Sequence, residues 1–156
     1  MSDLQIEKLD PDAADVGLLI KASEDFYLDL YPAESTHLES REDLKLDNVL
    51  FLGGRVDGVL AATGAAKVMS GDVEYAEIKR VFVDPRYRGL GLSVTIMTHL
   101  ETELLKQGVT VFRLETGVKQ PEALGLYRKL GYVERTPFGD YQLDPLSVFM
   151  EKQVSL

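Results

Sequence analysis

Arg86, Arg88, Gly89 and Gly91 stand together in the segment Asp-Pro-Arg-Tyr-Arg-Gly-Leu-Gly-Leu-Ser, after a β-branched run and before a long amphipathic stretch. The chemistry such a group can do is anion binding. Each arginine can place forked, charge-assisted bonds on phosphoryl oxygens. The two glycines let the main chain approach a bulky anion with no Cβ in the way. A helix that starts immediately afterwards aims its first N–H groups, and the positive end of its dipole, at the same spot. Together they predict a phosphate site, while a tight strand–helix connection is the plainer use of the same residues. A dinucleotide fingerprint fits less well, because its third glycine would fall on Val94, and the lysine of a Walker loop is missing.

Such a corner needs a strand before it and a helix after it. The β-branched run 81–83 ends a strand, and the helix runs through residue 105, with Gly108 placed to end it. Upstream, 4–9 alternates as a first strand, and Asp10 and Pro11 read as the N-cap and first position of a helix to about residue 30. Val16, Leu19, Ile20, Phe26, Tyr27 and Leu30 recur along it at helical spacing. Pro32 breaks that helix; residues 31–37 form a loop with Tyr31 and His37, and a helical turn follows at 40–46. Three strands then read at 49–55, 59–69 and 73–83, joined by turns at 56–58 and 70–72. The middle one carries Ala61, Ala62, Gly64, Ala65 and Ala66, which let another layer come close or leave room for a ligand. Alternation on the third puts Tyr75, Glu77 and Lys79 on one face and Ala76, Ile78 and Phe82 on the other.

Downstream, 109–115 reads as a buried strand, and Gln120-Pro121 opens a helix with Ala123, Leu126, Tyr127 and Leu130 on one face and Gly131 at its end. Residues 132–135 and 146–154 are the last strands, joined by a loop that carries Phe138 and Tyr141. The resulting order, β-α-(α)-β-β-β-α-β-α-β-β, is that of an α/β protein with a mixed sheet and helices on both faces.

Composition narrows the function. The 156 residues suit one domain spanning 1–156. Lys plus Arg is 17 and Asp plus Glu is 26, a net charge of −9, which argues against nucleic acid or an anionic membrane as partner. An anion must therefore be bound locally, by the loop. No cysteine is present, which excludes disulfides, thiolate metal sites and a cysteine nucleophile. His37 and His99 are the only histidines and have no paired spacing, so no metal is expected. The first ten residues hold no apolar segment, and no run of about 18 apolar residues follows, so a cytoplasmic protein is expected.

The order strand, Val-Asp-Pro, Arg-x-Arg-Gly-x-Gly, helix resembles the element on which the GNAT superfamily of N-acetyltransferases holds the pyrophosphate of acetyl-coenzyme A. Arg88, Gly91 and Ser93 match the family's Arg/Gln-x-x-Gly-x-Gly/Ala loop, with Ser93 a small departure at a place that must stay small. Leu114-Glu-Thr-Gly, Gln120-Pro-Glu-Ala and Leu126-Tyr-Arg-Lys-Leu-Gly-Tyr132 resemble its Leu-Tyr-x-x-x-Gly-Phe/Tyr signature. The element order agrees along nearly the whole chain. The resemblance implies the GNAT acyl-CoA N-acyltransferase fold, a mostly antiparallel mixed sheet of about seven strands.

It also implies acetyl-CoA as acyl donor and direct attack on its thioester by the primary amine of a small molecule. Donor binding would fall to Arg86, Arg88, Gly89, Leu90, Gly91, Leu92 and Ser93, to the main chain of Val81 and Val83, and to Gln120 and Tyr127. Tyr127 would hydrogen-bond the departing sulfur, or act as an acid whose pKa the site lowers. With a phenol near ~10 and a thiol near ~8.5, full proton transfer is uphill by roughly 2 kcal/mol. Glu77 would serve as base through water, or pair with Lys79 or Arg80; His37 is the weaker candidate. Tyr27, Tyr31, His37, Phe138 and Tyr141 would surround the acceptor. A non-catalytic acyl-CoA-binding regulatory module is the rival, and the presence of Tyr127 favours the enzyme. Protein amines stay open as acceptors, as does a homodimer through the last strands.

Overall fold

The computed structural model describes residues 3–33 and 40–155. Along the chain lie β1 (Leu4–Lys8), α1 (Ala14–Leu30), β2 (Val49–Val56), β3 (Val59–Ser70), β4 (Glu74–Val83), α2 (Leu92–Lys106), β5 (Val111–Gly117), α3 (Pro121–Lys129), β6 (Val133–Arg135) and β7 (Ser147–Gln153). The strands form one sheet in the order β1-β2-β3-β4-β5-β7-β6. β4 and β5 run parallel and the other neighbours antiparallel, which gives the mixed sheet the sequence predicts. A parallel pair needs a crossover, and α2 supplies it.

Each face of the sheet has its own core. Ile96, Met97, Leu100 and Leu104 of α2, with Tyr127 of α3, pack against Ala62, Ala66, Ile78, Phe112 and Leu114. Val16, Leu19 and Ile20 of α1 cover Phe51, Ala65 and Phe82 on the opposite face. The small side chains of β3 serve the close approach of a layer: a Cβ at Gly64 would collide with Ile96 Cγ2. At the β2–β3 connection Asp57 and Gly58 both have positive φ, 50° and 85°, the geometry of a two-residue hairpin turn that follows the strands' twist.

Two expectations are corrected. Asp10 does not cap α1: its carboxylate accepts Asp12 N–H at 2.9 Å and its carbonyl accepts Ala13 N–H at 3.1 Å. That local turn absorbs residues 10–13, and the helix starts at Ala14. Phe82 does not share a face with Ala76 and Ile78 but packs under α1, while those two lie under α2. The cause is a bulge that breaks the alternation: β3 pairs Ala65 with Lys79 and Thr63 with Phe82, so two residues, Arg80 and Val81, stand opposite one.

Candidate active site

The bulge falls where β4 and β5 part. Their parallel ladder runs only through Ala76–Phe112, Glu77–Arg113 and Ile78–Leu114, after which no pairing continues. Arg80 has a left-handed backbone, φ 57°, which costs a residue with a side chain on the order of 1–2 kcal/mol. Neighbours hold it there. Thr63 Oγ1 donates to the Arg80 carbonyl at 2.9 Å, and the buried guanidinium reaches Ser23 Oγ at 3.4 Å and Glu24 Oε1 at 3.3 Å on α1.

The gap opens into a cavity of about 550 Å³ that runs from the Arg88–Ser93 corner to the ends of β4 and β5. Of the predicted donor-binding residues, Val81, Val83, Arg88, Gly89, Gly91, Leu92, Ser93, Gln120 and Tyr127 line it. Gly89 and Gly91 have φ of 83° and 73°, and a Cβ on either would meet open space, so their requirement is backbone conformation. Thr95 N–H bonds back to Gly91 O at 3.1 Å, which leaves the amides of Leu92, Ser93 and Val94 at the opening of α2. The Arg88 guanidinium lies 5.7 Å from the Phe26 ring centroid, across the mouth. Arg86 and Leu90 are exposed and lie outside this lining. The Arg86 fork is turned onto Asp84, at 3.2 and 2.8 Å.

Tyr127 is buried, with its ring edge-on to Tyr132 at 5.9 Å between centroids. Burial, and then the nearby Tyr27 and Glu115, push its phenol well above the ordinary tyrosine value. A lowered acid is therefore not what this site makes; the hydroxyl stays protonated and can donate a hydrogen bond. Glu77 is also buried, and it is engaged: Tyr141 Oη donates to it, and Lys79 Nζ lies 3.3 Å away. Tyr27 Oη donates to the Val81 carbonyl at 3.4 Å. Tyr31 Oη donates to Gln120 Oε1 at 3.3 Å and accepts Lys119 N–H at 3.0 Å, packed where only Gly117 leaves room for its ring.

Tyr27, Tyr31 and Tyr141 line the cavity, but Phe138 does not: it is buried edge-on against Tyr75 and Phe149. His37 lies outside the described residues.

Glu115 is the residue the sequence reading missed. It lines the cavity on the strand face shared with Glu77 and is pushed up to about 7. Burial is the main cause; a hydrogen bond from Ser147 Oγ, 2.8 Å, opposes it, and the charges of Glu77 and Asp144 add to it against Lys79. A carboxyl poised near neutrality can take up a proton at physiological pH. The signal was present in the sequence: Arg113 and Glu115 are charged positions alternating with Phe112 and Leu114 in a strand read as uniformly buried.

The fold that frames this cavity is shared by known proteins. The acetyltransferase (GNAT) family pattern covers residues 19–132. The chain belongs to the GNAT family. An IAA acetyltransferase of Azospirillum brasilense is 39% identical over 97% of this chain and 99% of its own length. The ribosomal protein bS18-alanine N-acetyltransferase of Escherichia coli is 34% identical over 51% of this chain and 52% of its own. Among solved structures, a Klebsiella pneumoniae protein described as an acyl-CoA N-acyltransferase superposes with a TM-score of 0.78 at 32% identity, over 96% of this chain and 97% of its own. A PaiA N-acetyltransferase of Thermoplasma acidophilum, in complex with coenzyme A, has the same fold at a TM-score of 0.74 and 22% identity, over 97% of this chain and 99% of its own.

This GNAT chain is thus an acyltransferase, and the fold expected from the two motifs is the fold found. No helix among the described residues is long and apolar enough to cross a membrane, and among them no group of three or more His, Asp or Glu could hold a metal ion.

Proposed function

We propose that this acyltransferase takes acetyl-coenzyme A as donor and transfers the acetyl group to the primary amine of a small molecule. The observation that carries the reading is the single cavity joining the Arg88–Ser93 corner to Glu115 and Tyr127 through the gap between β4 and β5. Left-handed Gly89 and Gly91, the amides that open α2 and the Arg88 guanidinium fit a diphosphate in kind and charge. Gln120 and the main chain of Val81 and Val83 fit an extended polar arm laid in the gap. Arg86 and Leu90 would contribute through the main chain alone.

The donor supplies an acyl carbon activated by a thiol leaving group. The chain's residues do the rest. Peptide groups of the bulge receive the acyl carbonyl as negative charge develops on its oxygen. As the amine nitrogen bonds to the carbonyl carbon and the carbon–sulfur bond breaks, Glu115 accepts the proton the amine gives up. Tyr127 stabilises the departing thiolate with a hydrogen bond. Glu77, held by Tyr141 and Lys79, shapes the acceptor end together with Tyr27 and Tyr31.

Two features support a small acceptor. Tyr141, from the β6–β7 loop, reaches across to Glu77 and so walls that end of the cavity. The relative aligned over nearly the whole chain is named for IAA, whereas the ribosomal-protein enzyme aligns over half. The test is release of free thiol from acetyl-coenzyme A with a panel of small primary amines and, separately, a peptide with a free N-terminus. Steady turnover with a small amine, well above that with the peptide, is expected; turnover with the peptide alone would overturn the reading.

A further inference from the structure

The bulge that parts β4 from β5 is gripped from outside the sheet, and the grip centres on one residue. Arg80 sits in the left-handed region in the middle of a strand, where a side chain is rarely tolerated. Its carbonyl is held by Thr63 Oγ1 of β3, and its guanidinium is buried against Ser23 and Glu24 of α1. One helical turn further on, Tyr27 of the same helix donates to the carbonyl of Val81, the other bulged residue. Main chain and side chain of the bulge are thus tied to two separate elements. The ties sit immediately beyond the last β4–β5 pair, on the wall of the cavity.

Glycine adopts such a φ freely, so nothing in the backbone alone asks for arginine at this position. What arginine adds is a rigid planar fork long enough to span from β4 to α1.

We infer that Arg80 is a positioning residue for acyl transfer: by tying the bulge to α1, it aims the peptide groups of Arg80–Val81 at the acyl carbonyl. This rests on the proposed use of the bulge as carbonyl acceptor. It makes α1 part of the catalytic frame as well as a wall of the cavity. The role assigned to the Arg80 side chain is this tie, its guanidinium being held by Ser23 and Glu24 of α1.

The test uses Arg80→Gly, which keeps the backbone conformation without strain and removes only the tie, with Arg80→Lys as its partner. Four quantities are read for each: thermal midpoint, coenzyme A affinity by calorimetry, and kcat and KM for acetyl-coenzyme A with an amine that the parent enzyme turns over. For Arg80→Gly the expected result is a fall in kcat of at least about tenfold, up to the roughly hundredfold to thousandfold that losing an aimed oxyanion donor costs. Coenzyme A, which lacks the acetyl carbonyl, should bind within about threefold of the parent, and Arg80→Lys should recover part of kcat. A merely structural role would make activity follow stability, with donor affinity lost in proportion. A folded Arg80→Gly enzyme with kcat within about twofold of the parent would overturn the inference. If Arg80→Gly does not fold, Arg80→Lys decides by the same split: reduced kcat with unchanged coenzyme A affinity supports it, and unchanged kcat overturns it. Absence of turnover by the parent with every amine would instead fault the proposed function.

Discussion

Tyr127 and Glu115 face one cavity from different elements, and burial favours the protonated form of both. For Tyr127 this favours the proposed role as hydrogen-bond donor, so Tyr127→Phe should lower kcat by about tenfold or more while leaving coenzyme A affinity within about twofold, measured by thiol release and calorimetry. Glu115 is the proposed base. The base must be ionised, so kcat should fall as pH drops below about 7, and Glu115→Gln should flatten that limb as well as reduce the plateau. Stability runs the other way. A carboxyl raised from 4.5 to about 7 on folding binds its proton more tightly in the native state, so its contribution is lost as pH rises through that interval. Glu115→Gln should therefore be more stable than the parent at pH 8, and the advantage should vanish below pH 4; a thermal melt at each pH reads it. Tyr127 was legible because a spaced signature surrounds it. For Glu115 only its alternation with Phe112 and Leu114 was legible; its proton affinity was not, because it is set mainly by burial, and then by Ser147, Glu77, Lys79 and Asp144, which come together only in the folded sheet.

Among elements, strands and helices were legible from periodicity and turn residues, down to Asp57-Gly58 at the hairpin and Gly108 and Gly131 with positive φ just after their helices. The bulge was not. Strict alternation carried past Arg80 assigns Phe82 to the wrong face, and nothing local in Glu-Ile-Lys-Arg-Val-Phe announces that one residue turns left-handed. The contacts that impose it, from Thr63, Ser23 and Glu24, are distant in sequence. Gly64 is the counterpart on β3, where small size rather than conformation matters. Gly64→Val would drive its side chain into Ile96 and Leu100 of α2 and push away the helix that carries the glycine corner. It should cost about 1–3 kcal/mol in urea unfolding and weaken coenzyme A binding in the same protein. Full stability with full affinity would show that α2 is not seated as described.

At the scale of the whole molecule, an acidic chain of net charge −9 carries a local cationic and amide-rich corner, so the proposed recognition of the donor depends on geometry and not on a general attractive field. The order β1-β2-β3-β4-β5-β7-β6, with one parallel pair at its centre, is what leaves a gap beside that corner. A mixed sheet of about seven strands could be expected from the two motifs and the element sequence, whereas the strand order and the place where pairing stops, after Ile78 and Leu114, required the structure. The most direct test of the account is a crystal structure with coenzyme A bound. It should show the diphosphate on the amides of Gly89 to Ser93 with Arg88 beside it, the arm lying between β4 and β5, and the sulfur facing Tyr127. A coenzyme seated elsewhere, or β4 and β5 paired beyond Ile78 and Leu114 with the gap closed, would contradict it.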